Sequence, residues 1–154
     1  LNILNTNASA VGSYDLDIVC KTNETLEKIN NNFFEIIFLI GQDNISINKK
    51  NEFIVYIGSH GDKGAEIADL VLPGAAFTEQ NGYFTNLEGK LQMAFKASYP
   101  PGEAKEDWVI INEISKLIDG NRLFKDKNEL LSLDLRKNLK KRKIFQKKTK
   151  KKNK

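Results

Sequence analysis

The stretch from His60 to Lys90, HGDKGAEIADLVLPGAAFTEQNGYFTNLEGK, concentrates the side chains able to do chemistry: the single histidine of the chain and five carboxylates, set between an apolar run and a Pro-Pro turn. Three chemistries use such residue types. Ser59 beside His60 offers a nucleophile and a base. A hydrolytic triad, however, needs the base to face the nucleophile and to be oriented itself. Neighbours on a loop are not expected to face each other productively, and no G-x-S-x-G elbow occurs. His60, Asp62, Glu66 and Asp69 are of metal-ligating type, yet they match no H-E-x-x-H or H-x-E spacing, so solvated or capping roles are expected. Gly58, Gly61 and Gly64 form G-x-x-G-x-x-G directly after an apolar run. In an open α/β sheet that is the edge where ligands bind. Neither the dinucleotide fingerprint nor a following G-K-[ST] is present, and glycines at a strand end also serve turns of positive φ.

The elements that must position these residues read as an α/β pattern. Phe34 to Ile40 and Phe53 to Ile57 are near-continuous apolar runs, each stopped by a glycine, as in parallel strands covered on both faces. Gly41 to Glu52 separates them, enough for a short crossover. A helical turn in GAEIAD leads to a third run, Leu70 to Pro73. Before the first strand, Leu26, Ile29 and Phe33 share a helix face that Thr22 or Asn23 caps, with Glu24 in the first turn. Residues 1–16 read as loop with a short helix or strand near the start. After Gly74, YFTN and LQMAFKA make a hairpin with turn signals at Asn81-Gly82 and Glu88-Gly89. PPGEAKEDWVIINEISKLIDG reads as the strongest helix, with Trp108, Ile111, Ser115 and Ile118 on one face and Gly120 as its stop. A last amphipathic stretch runs through Leu131, Leu135 and Leu139.

At 154 residues, with 40% hydrophobic and 29% charged residues, the chain has material for one core. Its charge is uneven. Residues 136–154 carry twelve of the 24 Lys and Arg and no acid, leaving twelve basic against twenty acidic residues, a net of −8, on residues 1–135. The lysine tail lacks the interleaved aromatics of a specific RNA contact, and a solvated or subunit-contacting end is preferred. A single cysteine, Cys20, excludes an internal disulfide and an iron-sulfur or zinc site built by this chain alone; it is expected as a small buried apolar residue. No apolar run is long enough to span a bilayer. Asn, Ile, Lys and Phe make up 63 of the residues against three Arg, the signature of A/T-biased coding common in organellar genomes. The chain begins at Leu1 without the Arg-rich amphipathic character of a transit peptide.

Four pieces, G-x-H-G-D-x-G-A at Gly58 to Ala65, IADLVLPGAAFTE at Ile67 to Glu79, TNLEGKLQ at Thr85 to Gln92 and PPGEAKEDW at Pro100 to Trp108, together resemble the large iron-sulfur subunit of respiratory complex I in its C-terminal part. Their shared pattern also resembles the molybdopterin oxidoreductase superfamily. The match is strongest from Phe53 to Ile118, and beyond Gly120 nothing matches. Lys90 stands where Arg is usual, keeping the charge but losing a bidentate fork.

The resemblance implies a small, mostly parallel sheet with flanking helices over residues 1–120; residues 121–154, which it does not cover, read from their own pattern as helical and then a basic, flexible tail. It implies no catalytic residue, no metal and no cofactor in this chain; Gly58, His60, Gly61, Gly64, Asn86 and Lys90 would be the vestigial wall of an ancestral pocket. Iron-sulfur clusters are expected on a cysteine-rich partner portion, and other peripheral-arm subunits are the expected neighbours, without nucleic acid or a direct membrane span. The implied location is the matrix side of the mitochondrial inner membrane, with the chain as the mitochondrially encoded second half of a split subunit of the proton-pumping NADH:ubiquinone oxidoreductase. A fragment of a pterin-binding molybdoenzyme and a basic-tailed mitochondrial RNA- or ribosome-associated protein are the alternatives.

Overall fold

The structure, a computed structural model, describes residues 10–16, 18 and 22–133, leaving aside the side chains of Asp15, Thr22 and Asn23. Cys20, the caps expected at Thr22 or Asn23, Leu135, Leu139 and the lysine tail therefore lie outside the described residues. The element order is α1 (Ala10–Leu16), α2 (Thr22–Asn30), β1 (Ile36–Ile40), β2 (Phe53–Gly58), α3 (Lys63–Ile67), β3 (Leu70–Pro73), a 3-10 turn (Phe77–Glu79), β4 (Gly82–Thr85), β5 (Leu91–Ala94) and α4 (Asp107–Asp119). Residues 127–133 are again helical. Among the described residues no helix is long and apolar enough to cross a membrane.

β1, β2 and β3 form a parallel sheet in that order, the α/β architecture expected from the apolar runs. β2 lies in the middle, and its four central residues are buried because they point alternately into two cores. Ile54 and Tyr56 join Ile29, Ile37 and Leu39, with Ala65 and Ile67 packed beside them. Val55 and Ile57 face the other way, against Ile110, Leu72 and Ile114. The antiparallel β4–β5 pair is a separate hairpin, touched by α1.

Three expectations are corrected. β1 is not covered on both faces: Ile37 and Leu39 are buried, whereas Ile36, Phe38 and Ile40 are 57%, 47% and 46% exposed. The helix expected over 100–120 starts only at Asp107, because Pro100, Pro101 and Gly102, with φ +54° at the glycine, form a turn that delivers Lys105 to a parallel bridge with Gly74. Its inward face is built on Ile110 and Ile114 rather than on the Trp108, Ile111, Ser115, Ile118 row, since the sheet fixes which stripe is desolvated. Gly120 does end it, in the left-handed conformation, its N–H donating to the Lys116 carbonyl.

The segment after Gly120 is tied back to α4. Asn112, 4% exposed, donates through Nδ2 to the Phe124 carbonyl and accepts the Phe124 N–H on Oδ1. The Ser115 hydroxyl donates to the Asn121 carbonyl, and Glu106 pairs with Lys127.

Because Ile57 has no exposed surface and anchors the α4-side core, Ile57→Ala is expected to cost about 2–5 kcal/mol of stability. Ile118→Ala, at a side chain 75% exposed, is expected to change it by less than about 0.5 kcal/mol. Urea unfolding of the full chain followed by far-UV circular dichroism measures both.

Candidate functional site

The carboxyl edge of the sheet is assembled around Tyr56. Its ring is 2% exposed, and a Cβ placed on Gly64 would lie 2.7 Å from that ring and 2.7 Å from the Gln42 carbonyl oxygen. A Cβ on Gly58 would run into the Tyr56 hydroxyl and ring. Two of the three glycines of G-x-x-G-x-x-G are thus glycines because a buried ring of the same chain lies against them, and neither leaves its Cβ side open to an outside group. Gly61, by contrast, has nothing within 4 Å of the place a Cβ would take.

The Tyr56 hydroxyl lies 2.9 Å from the His60 carbonyl and 3.0 Å from Asp43 Oδ2, so its single proton lies between two acceptors. Asp43 Oδ1 accepts the Gly64 N–H at 3.0 Å. Burial first, and then the hydrogen bond to Asp43, push the Tyr56 phenol up to about 12. His60 thus enters this network through its backbone. Its imidazole Nδ1 lies 2.9 Å from Ser59 Oγ, which corrects the expectation that the neighbours would not face each other. The pair is exposed on the rim, without the desolvated surroundings in which such hydrogen bonds gain strength.

The other candidate ligands are dispersed. Asp69 accepts the Ile54 N–H on Oδ2 at 2.8 Å and the Lys49 ammonium on Oδ1 at 2.7 Å. Those two partners, the Ile54 N–H above all, hold its carboxyl below the ordinary carboxylate range. Asp69 belongs to the opposite end of the sheet from His60. Among the described residues no three of His, Cys, Asp and Glu converge as a metal set.

Asn86 and Lys90 belong to the β4–β5 turn. Asn86 Oδ1 accepts the N–H groups of Glu88 and Lys90, and Gly89, at φ +76°, lets the turn close. The same kind of internal role accounts for Glu79, whose carboxylate accepts the Ala76 N–H at 2.9 Å, and for Glu106, which takes the Trp108 indole N–H at 2.8 Å. The residues singled out at Gly58, His60, Gly61 and Gly64 run from the last residue of β2 through the following loop into α3, and Asn86 and Lys90 lie on the hairpin of another sheet.

Sequence reasoning reads Asp107 only as an acid favouring the first turn of its helix and gives it no place in a site. Burial and the adjacent Glu106 raise its carboxyl above the ordinary range, and its Oδ1 approaches Gly74 so closely that a Cβ there would lie 2.8 Å away. Together with Trp108, Gln80 and Leu130 it lines an apolar groove of about 440 Å³ between α4, the hairpin and the 127–133 helix. Its only sequence signal is its place in the first turn of α4, which any helix-favouring acid shares.

A parallel α/β sheet with a glycine-rich carboxyl edge, closed by its own tyrosine, defines the class of domain. Residues 1–117 match the molybdopterin oxidoreductase family, and the chain belongs to that family. It is 49% identical over 121 residues to the NADH-ubiquinone oxidoreductase 75 kDa subunit of Reclinomonas americana, a match covering 77% of this chain and 17% of that protein. It is 42% identical over 130 residues to a subunit of the NADH-quinone oxidoreductase of Rickettsia bellii, covering 84% of this chain and 18% of the relative. With the mitochondrial NADH-ubiquinone oxidoreductase 78 kDa subunit of Candida albicans it shares 40% identity over 129 residues, 82% of this chain and 17% of that protein. The chain spans less than a fifth of the length of these relatives.

The glycine contacts separate packing from cradle. Gly64→Ala is expected to cost about 1–3 kcal/mol, since neither the ring nor the Gln42 carbonyl can move freely, whereas Gly61→Ala is expected within about 0.5 kcal/mol of the parent; thermal melts of the full chain compare them. Tyr56 adds a pH signature. With its folded pKa raised from 10.0 to about 12, the unfolded phenol ionises first, so its contribution is whole below about pH 10 and is lost as pH rises toward 12. Urea midpoints between pH 8 and 12 are expected to fall less steeply for Tyr56→Phe.

Proposed function

We propose that this chain is the structural, cofactor-free C-terminal part of the large iron-sulfur subunit of mitochondrial complex I, the proton-pumping NADH:ubiquinone oxidoreductase, and the second polypeptide of a split subunit. The observation that carries the reading is the agreement of its relatives: matches of 40–49% identity over 121 to 130 residues to proteins named as subunits of one kind of enzyme, mitochondrial in Candida.

Cluster ligation favours the division of labour. Iron-sulfur clusters are held by sets of Cys thiolates, typically four, and a chain with one cysteine does not supply such a set. The clusters are assigned to the cysteine-rich portion of the subunit, which electrons traverse, while this chain braces the fold beside it. The motif residues support that role, because Gly58, Gly64, Asp69, Glu79, Asn86 and Glu106 each serve a contact inside the domain. We place the assembly on the matrix side of the inner membrane. The A/T-biased composition supports mitochondrial coding of the chain.

The test is a native gel of the source membranes stained for NADH dehydrogenase, with mass spectrometry of the stained band. This chain and a separate cysteine-rich polypeptide are expected there in equal amounts. Recovery of the chain only in other bands, or as a tryptic part of one long polypeptide, would overturn membership in the first case and the split in the second.

A further inference from the structure

Among the described residues, one face of the sheet is not finished by the helices. Partners in a parallel register point to the same side, so Ile36 and Phe53, Phe38 and Val55, and Ile40 and Ile57 stand in rows on the α4 side. α4 covers Val55 and Ile57, which are 4% and 0% exposed, but not Ile36, Phe38, Ile40 and Phe53, which are 46–57% exposed. Width explains the difference. Strands lie about 4.8 Å apart and a helix with its side chains is about 10–12 Å across, so one helix covers about two strands. α4 sits over the carboxyl halves of β2 and β3, at Val55, Ile57 and Leu72, and among the described residues β1 stays uncovered, as do Phe53 and Leu70, 47% and 43% exposed at the starts of β2 and β3.

The flank of α4 that borders the bare strand is apolar too. Glu113 and Leu117 line the cavity on the β3 side, with Leu72 and Pro73. At about 100° per residue Ile111 and Ile118 fall on the opposite flank, and Ile118 is 75% exposed. Ile36, Phe38, Ile40, Phe53, Ile111 and Ile118 therefore make the floor and one wall of a trough shaped for a second helix lying beside α4, at the roughly 8–10 Å spacing of packed helices.

We propose that this trough is the docking surface for the partner polypeptide, and that its occupant is an amphipathic helix, with an Ile, Leu and Val stripe, supplied by the portion of the large subunit that lies outside the matched segment in the relatives. The inference rests on the membership proposed above and names the surface through which it is realised. The occupant follows from length: more than four-fifths of each relative lies outside the matched segment. A parallel sheet is covered on both faces, and that remainder is the chain available to complete this one.

The test co-expresses the tagged full chain with the cysteine-rich polypeptide found in the stained band and measures co-purification. Phe38→Glu and Ile36→Glu are each expected to reduce recovery of the partner at least tenfold. Leu87→Glu, at an exposed position of the hairpin turn, is expected to leave it unchanged, and the free variants are expected to melt like the parent, since positions 36 and 38 face solvent in the chain alone. Undiminished recovery with both trough variants overturns the docking surface while leaving membership standing. Conversion of a self-associated parent to a monomer by Phe38→Glu, with partner recovery intact, assigns the trough to a second copy and also overturns it. Failure of the parent itself to recover the partner defeats membership, and the docking surface with it.

Discussion

The fold depends on one buried ring. Tyr56 stands at the carboxyl end of the central strand with its ring against Gly64 and its hydroxyl between the His60 carbonyl and Asp43. Asp43 follows β1, His60 follows β2 and Gly64 lies in α3, so one side chain joins three segments that the backbone alone would leave as separate loops. Burying a phenol costs free energy unless its hydroxyl is satisfied, and here the satisfaction fixes the loop conformation. The glycines follow as a consequence. A side chain at 64 would compete with the ring and with the Gln42 carbonyl for the same space.

A second polar lock holds the other end of the sheet. Asp69 and Ile54 exchange hydrogen bonds: the Asp69 carboxylate accepts the Ile54 N–H, and the Asp69 N–H donates to the Ile54 carbonyl. Lys49 joins the carboxylate to the Ile67 carbonyl at the end of α3. The connector between β1 and β2 has no helix of its own, and this ion pair with its backbone contacts takes the place of the packing a crossover helix would provide. Stability of the two ends therefore answers to opposite pH limits. The tyrosine end weakens in strong base, and the aspartate end weakens in acid, as pH falls through the depressed pKa of Asp69 below the ordinary carboxylate range.

The parallel sheet was legible because three apolar runs, each ended by a glycine or Pro-Gly, admit few other arrangements. The hairpin was legible from Glu88-Gly89, whose glycine does adopt positive φ. Which stripe of α4 faces inward was not, since Ile110, Ile111, Ile114 and Ile118 give two adjacent apolar flanks, and only the position of β2 and β3 chooses between them. The bare face of β1 was hidden for a related reason. A run such as IIFLI reads the same whether its second cover is present in the chain or comes from elsewhere. At the carboxyl edge the sequence displays glycines and a histidine but not the ring two residues before Gly58, because a tyrosine in an apolar strand carries no mark of which way it points.

That blind spot bears on function. A glycine-rich loop after a parallel strand invites a ligand because glycine lets another group come close, but the same absence of Cβ serves any group, including one from the strand itself. In this chain the close-approaching group at Gly58 and Gly64 is Tyr56, and the polar atoms around it are engaged with one another through Asp43 and the His60 carbonyl. Fold does not fix function, and a glycine-rich edge in a parallel sheet has to be read from the group that lies against it. With a buried ring in the room at Gly58 and Gly64, packing alone is a sufficient reason for glycine at both positions, and the loop's shape follows from the sheet it closes.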